Sequence, residues 1–546
     1  MGVSRRVLRS AVVTAACLCA LAGVPPSAAQ VHDATLRALG YSPDPLARSP
    51  RLLGMGRLTL ADDLHNRLTL WDFAGNPTGI AEAESMSTFE YRPLFRNSSV
   101  LHEVGSGAQA RERQELAARQ VRHSVEAWRR SPGTPAYGMV AELAMLQMDR
   151  PFDEAVERRG RFTVPAISGA VNGQVPWLHR ERFEFALRLD YSLEHHDDDY
   201  FEFLRLPQGD YLGQESGIVP PPDLYTPDRI ETTSLRGGVA FSVRVKKDIK
   251  AAVGYDRARV KVRSTLEGLR STTKVDEDRP FDIGQASLIG RLGRNLEWGV
   301  DGRAWRSQSE EFFFWTISAG QAELPLSGKG KRLDREEKGT SLRTRVRWMN
   351  GPLELGASFG AGSRLAVINP WYPQGIGDPP GFNDFLAEIA NRSGADTLML
   401  PGRVTKSQIE ERSYEFAGGA MWRLPSGRGV LGAEAHLGRG STDQIEIGGG
   451  PEPRGWDVRA GGEYGLSATL KARAGWSYGV HDRDDLTAND AYRSAMATAG
   501  FGHQPEGSRW GVDLGYAYEW VRSDFVDPAR SRGSQQHLAV QMRWQF

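Results

Sequence analysis

Two Gly-x-Ser-x-Gly strings are the clearest candidates for covalent chemistry: Gly356-Ala357-Ser358-Phe359-Gly360 and Gly475-Trp476-Ser477-Tyr478-Gly479. A nucleophilic serine of that type needs a sharp strand-to-helix turn and a nearby base. Both strings instead lie inside stretches where apolar and polar residues strictly alternate, so the serine is a small residue in mid-strand. Ser477 and His481 share a face, but four strand residues separate them by about 13 Å, too far for proton transfer. His195-His196-Asp197-Asp198-Asp199 carries metal-ligand types, and Asp482-Arg483-Asp484-Asp485 is a second charged cluster. Both read as solvated loop ends. Gly328-Lys329-Gly330-Lys331 lacks phosphate-loop spacing. No catalytic residue, metal site or cofactor is expected.

The elements around these residues carry the stronger signal. From Leu538 to Phe546 every even position is large and apolar, and every odd one is polar or small. That is the period of a strand whose two faces meet different media. The same pattern recurs in Trp510–Trp520, Leu470–Val480, Trp456–Tyr464, Leu353–Ala361 and Phe183–Leu193. Asn350-Gly351, Pro425-Ser426-Gly427 and Gly465-Leu466-Ser467 read as tight turns. Long polar stretches at 195–229, 309–338, 365–407 and 442–455 read as loops. Short turns at one end and long loops at the other are the pattern of an outer-membrane barrel.

The expected fold is therefore an all-β transmembrane antiparallel barrel of 14 to 18 strands, with 18 the best count. A terminal strand that alternates and ends in Trp544 and Phe546 resembles the assembly signal of bacterial outer-membrane barrels. Trp298, Trp348, Trp422, Trp456, Trp476, Trp510, Trp520 and Trp544 fall near strand ends, as does Trp128, as an interfacial girdle would require.

The N-terminus fits that destination. Arg5, Arg6 and Arg9 precede an apolar run from Ala11 to Val24, followed by Ser27-Ala28-Ala29. Residues 1–29 read as a cleaved signal peptide. Cys17 and Cys19, the only cysteines, lie within it, so a mature chain has no disulfide or thiolate chemistry. Losing those three arginines leaves 65 Lys and Arg against 68 Asp and Glu, a net of −3. Nothing in that balance suggests nucleic acid. No run of 18 apolar residues follows residue 30, which excludes a helical span.

Residues 30–83 do not alternate. They contain Leu53-Gly54-Met55-Gly56-Arg57, then Ala61-Asp62-Asp63, Asn66, and Trp71-Asp72-Phe73-Ala74-Gly75-Asn76-Pro77-Thr78-Gly79. This order resembles the start of mature proteins in the long-chain fatty-acid transporter superfamily of barrels, which includes relatives from the type 9 secretion system. Thr78 departs from the family's usual Ala, and the strand count exceeds the family's usual fourteen. The resemblance implies that residues 30–83 form a lumenal hatch including Asp62, Asp63, Asn66, Asn76 and Pro77, with the barrel spanning 84–546.

Alternation also assigns a lumen. Arg343, Arg345 and Arg347 form one basic row, and Arg259, Lys261 and Arg263 a second, with a bulge expected between Tyr255 and Val260. Such rows either attract anions or pair with Glu184, Asp190, Glu354, Glu415, Glu434, Asp457, Glu463 and Asp513 in a salt-bridge network. The expected function is an outer-membrane channel or transporter for a small hydrophobic or anionic solute, with no enzymatic activity. A general porin and a non-conducting scaffold that docks partner proteins are the alternatives. Expected partners are outer-membrane lipid, lipopolysaccharide and the barrel assembly machinery.

Overall fold

The computed structural model describes residues 49–58, and residues 87–546 except 105–111, 130–135, 152–156, 174–182, 198–228, 247, 268–270, 318–325, 371–406, 445–451, 486–487 and 525–529. Eighteen strands among these residues form a single antiparallel sheet. The strands that matter below are β1 (Ser87–Val104), β6 (Arg229–Lys246), β7 (Ile249–Glu267), β8 (Ser271–Leu292), β9 (Leu296–Ile317) and β10 (Leu326–Asn350). They are joined by β11 (Leu353–Pro370), β12 (Ser407–Arg423), β13 (Gly429–Gln444), β14 (Glu452–Gly465), β15 (Leu470–Asp485), β16 (Ala488–His503), β17 (Trp510–Asp524) and β18 (Arg530–Gln545). Each strand pairs with its neighbours in sequence, and β1 also pairs with β18 from Thr88↔Gln545 to Glu103↔Arg530. The sheet thereby returns to its own first strand, which leaves no open edge.

The burial pattern is inverted relative to a water-soluble fold. Leu189, Phe241, Val253, Leu437, Trp476 and Trp520 are exposed, whereas Glu90, Arg122, Glu126, Asp256, Glu354, Gln535 and His537 are buried. On β18 the expected alternation is observed: Gln535, His537, Ala539 and Gln541 face in and are buried, and Trp544 is exposed. The apolar wall faces lipid, and the polar groups inside satisfy one another across strands. This is a transmembrane β-barrel, because only a closed ladder pairs every backbone group within hydrocarbon.

The tight turns fall where expected. Gly351 (φ 58°) closes the β10–β11 hairpin, and Gly427 (φ 67°) closes the β12–β13 turn, where Leu424 N donates to Gly429 O. Only glycine adopts that backbone readily.

Three of the expected loops are shorter than the sequence suggests. The stretch 309–338 is mostly strand, because β9 runs to Ile317 and β10 starts at Leu326. Likewise β11 extends to Pro370, β13 to Gln444, and β14 begins at Glu452. Beyond the bilayer both faces of a strand meet water. Alternation then disappears although the hydrogen-bonded ladder continues.

The expected signal peptide, residues 1–29, lies outside the described residues, as does most of the segment 30–83. Its described part, Ser49–Leu58, contains one short helix, α1 (Pro50–Gly54), which packs against the inner wall at β15–β18.

Candidate lumenal site

The segment Ser49–Leu58 is shaped by its own sequence. Ser49 caps α1, its hydroxyl accepting from Leu52 N at 3.3 Å, and Pro50 occupies the first turn, where its missing N–H is harmless. Gly56 (φ 77°) and Arg57 (φ 63°) then turn the chain. Leu53, Met55 and Leu58 are completely buried.

Glycines of the wall make the seat. An ideal Cβ on Gly461 would lie 2.2 Å from Met55 O, on Gly475 2.2 Å from Gly56 N, and on Gly515 2.2 Å from Pro50 O. Gly500 lies against Gly54 less tightly, its Cβ position 3.3 Å from Gly54 Cα. These four belong to β14, β15, β17 and β16, so four adjacent strands lack side chains where the segment rests. Thr498 completes the seat: its Oγ1 accepts from Gly56 N at 3.0 Å and donates to Gly54 O at 3.1 Å.

Ion pairs flank the seat on both sides. Arg51 Nε meets Glu463 at 3.0 Å, and Glu463 also receives Arg473 at 2.8 Å and Lys471 at 3.2 Å. Arg473 reaches onward to Asp513 at 2.5 Å. On the other side Arg57 lies 3.7 Å from Glu519, and Arg459 Nη1 donates to Arg57 O at 2.9 Å. Glu519 faces the Nε2 of buried His537 at 3.4 Å, while Arg96 of β1 donates to its Nδ1 at 3.0 Å. An acceptor Nδ1 places the ring proton on Nε2, toward Glu519. The network thus joins the N-terminal segment to both strands of the closing seam.

A different surface occupies a distant wall. Ile283 of β8 stands beside Trp305 of β9, which stands beside Gly339 of β10. The indole lies over Gly339: an ideal Cβ there would be 2.1, 2.5 and 2.6 Å from Cζ2, Cε2 and Cη2. Ala258 of β7 pairs with Phe281 of β8 on the next row of the same inner face. Arg303 sits with its guanidinium carbon 6.0 Å from the indole centroid. The neighbouring charges have partners within the wall: Arg236 with Asp256, Glu277 with Arg279 and Ser309, and Glu337 with Arg364. Ala258 and Ile283 are buried beneath this face, and the apolar ledge left to the lumen is that of half-buried Phe281 and Trp305.

The two basic rows divide. Arg345 and Arg347 face inward, Arg345 at 3.7 Å from Asp301 and Arg347 at 2.9 and 3.0 Å from Glu297 and Glu354. Arg343 shares their face and is exposed to the lumen. Arg259, Lys261 and Arg263 do not line the lumen. Arg259 pairs with Leu235 and Arg263 with Glu231 across β6, and the row continues the outward face of Val253 and Tyr255. No bulge occurs between Tyr255 and Val260, since β7 keeps one register with β8 from Ile249 to Glu267. The row's polarity changes because the strand leaves the membrane there, and water replaces lipid outside. Arg259 is bonded to outward Asp278, at 2.8 Å through Nε, and Arg263 lies 3.6 Å from Asp276.

Of the expected acids, Glu354, Glu434 and Glu463 are buried on the lumen side, and Asp457 bonds Arg459 at 2.6 Å. Asp62, Asp63, Asn66, Asn76 and Pro77 lie outside the described residues. So do Asp198 and Asp199 of the His195 cluster; among the described residues no group of three His, Cys, Asp or Glu converges for a metal. Ser358 and Ser477 sit in mid-strand in β11 and β15. Trp544 lies on the outer wall 5.8 Å from Phe89, and Phe546 is exposed. Sequence reading missed the glycine seat, Thr498 and Trp305. The available signal was four glycines on the inward register of consecutive strands.

No family model and no curated protein matches this chain. Solved structures do. The ferric yersiniabactin uptake receptor FyuA from Yersinia pestis is 8% identical, with 83% of this chain and 80% of that one covered at a TM-score of 0.41. The Pseudomonas putida toluene transporter TodX is 12% identical over 91% and 97%, at 0.35. A Pseudomonas aeruginosa FadL homologue is 11% identical over 91% and 98%, at 0.33. On the strength of its own inverted wall and its closing β1–β18 pairing, this chain is a β-barrel of the outer-membrane type.

Proposed function

We propose that the barrel is a transport channel for small apolar solutes, narrowed on one wall by the N-terminal segment and offering an apolar ledge on the other. The observation that carries this reading is the seat: four wall glycines and Thr498 accommodate Pro50–Arg57 inside the lumen. The ledge at Trp305 lies on β8–β10, and the seat on β14–β17, well around the ring. A channel whose inner charges are largely matched in pairs presents little net attraction to ions, so an apolar surface is what distinguishes a solute. The reading is of transport and not of catalysis. Arg345 and Arg347 act as structural cations in it, each held by carboxylates.

The test is reconstitution of the full chain in liposomes and planar bilayers. Uptake of a small apolar probe, with low ionic conductance, is expected. Replacing Gly475 by Val should raise conductance by unseating the segment. Absence of both uptake and current, in the wild type and in Gly475→Val, would defeat the channel reading and favour a scaffold.

A further inference from the structure

The outer wall carries a groove of about 380 Å³ spanning β11–β14. Its floor is one continuous row of outward side chains: Phe359 pairs with Phe416, Phe416 with Leu437, and Leu437 with Trp456. Phe416, Leu437 and Trp456 are exposed to the lipid side. The next outward row lies two residues along each strand, about 7 Å higher. It consists of Tyr414, Arg439 and Arg454, with Tyr414 opposite Arg439 and Arg439 opposite Arg454. Both arginines are exposed and line the same groove.

The polarity of this arrangement is informative. β13 climbs from the tight turn at 424–429 toward the long connections, so the arginine row marks the extracellular boundary of the apolar wall. Like charges placed directly opposite on a sheet repel. A phosphate resting between two guanidinium groups turns that repulsion into two charge-assisted contacts. Both arginines also interact within the protein, and the inference needs only that they stand side by side and exposed. One row higher, Arg412 stands opposite Ser441, with its Nε on Glu410 at 2.7 Å. Above it Glu410 and exposed Asp443 face each other. The cations therefore lie nearest the hydrocarbon, at headgroup depth, and the acids lie farther out.

We infer that the groove on β11–β14 is a binding site for a phosphorylated glycolipid of the outer leaflet, lipopolysaccharide, with acyl chains over the Phe359–Trp456 row and a phosphate on Arg439 and Arg454. The aromatic floor supplies flat area for acyl chains, and Tyr414 sits where its hydroxyl can meet the headgroup. The site is independent of what crosses the lumen.

The full chain, purified in detergent from outer membranes, is assayed for bound glycolipid by mass spectrometry and then titrated with diphosphoryl lipid A. The wild type should retain glycolipid through washing. Arg439→Gln/Arg454→Gln should bind diphosphoryl lipid A about tenfold more weakly or worse, because both charge-assisted contacts are lost. Lys261→Gln, an outward cation on a distant strand, should match the wild type. Heat-modifiable migration reports that each barrel is folded, and the single Arg454→Gln serves if the double variant does not assemble. Equal binding by the arginine variants overturns the site. So does equal binding of phosphatidylglycerol or of dephosphorylated lipid A, since the recognised feature is then not a glycolipid phosphate.

Discussion

Gly475 and Gly56 approach so closely that a Cβ on Gly475 would lie 2.2 Å from the Gly56 nitrogen, and Gly56 N is simultaneously held by Thr498 at 3.0 Å. One backbone is thus laid directly on another inside a barrel wall. The contact is steric on one side and hydrogen-bonded on the other, so the two contributions can be separated.

Gly475→Val should displace Pro50–Arg57 without opening the barrel. Overpacking of this kind costs about 1–3 kcal/mol, borne by the segment rather than by the eighteen-strand ladder. Amide exchange at Leu53–Leu58 should accelerate while the strands stay protected. Gly284→Ala is the matched control, because nothing lies within 4 Å of its Cβ position. Unchanged exchange in Gly475→Val would mean that the seat does not hold the segment.

Thr498→Val keeps the volume and removes both hydrogen bonds to Gly54 and Gly56. Leaving a buried N–H unsatisfied costs roughly 1–3 kcal/mol. The same amides should exchange faster, with a smaller rise in conductance than for Gly475→Val.

Glu463→Gln tests the ionic flank. Glu463 is buried and faces Arg51, Lys471 and Arg473. Removing the charge leaves Arg473 with Asp513 as its remaining acid among those contacts. Breaking a buried pair from one side destabilises by about 3–5 kcal/mol. Thermal loss of heat-modifiable migration should begin at lower temperature than in the wild type. An unshifted transition would show that Arg473 and Arg51 find equivalent partners.

Trp305→Ala removes the ledge. Apolar-probe uptake should fall while ionic conductance stays the same or rises slightly. Gly339→Val should do likewise with the indole still present, since its Cβ would collide with the ring. Uptake insensitive to both changes would detach the ledge from transport.

The outward turn of the second basic row is testable by labelling. Cys17 and Cys19 are the chain's only cysteines and lie in the segment read as a signal peptide. Lys261→Cys should react rapidly with a bulky membrane-impermeant maleimide on whole cells, and neighbouring Val260→Cys slowly. The reverse order would return Lys261 to the lumen.

Much of the barrel was legible because a membrane-spanning strand must alternate. Phe183–Leu193, Leu353–Ala361 and Trp510–Trp520 each place apolar groups in lipid and polar groups inside, and each forms the expected strand. The signal fails where the two media become one. Past Tyr255 the row Arg257–Arg263 faces water outside while Val260 and Val262 face inward, so the same alternation pointed to the wrong side. The lumenal site was less legible still. Gly461, Gly475, Gly500 and Gly515 are separated by up to 54 residues and share no local pattern.

Sequence alone determined that this chain makes a closed sheet with an apolar exterior, because period-two alternation is local and hydrocarbon enforces it strand by strand. It also marked Leu53-Gly54-Met55-Gly56-Arg57 as distinct from the wall. Only the tertiary structure decided where that segment rests, which cations face inward, and that Trp305 lies over Gly339. Those facts depend on register between strands, and register joins residues that no local stretch of sequence brings together.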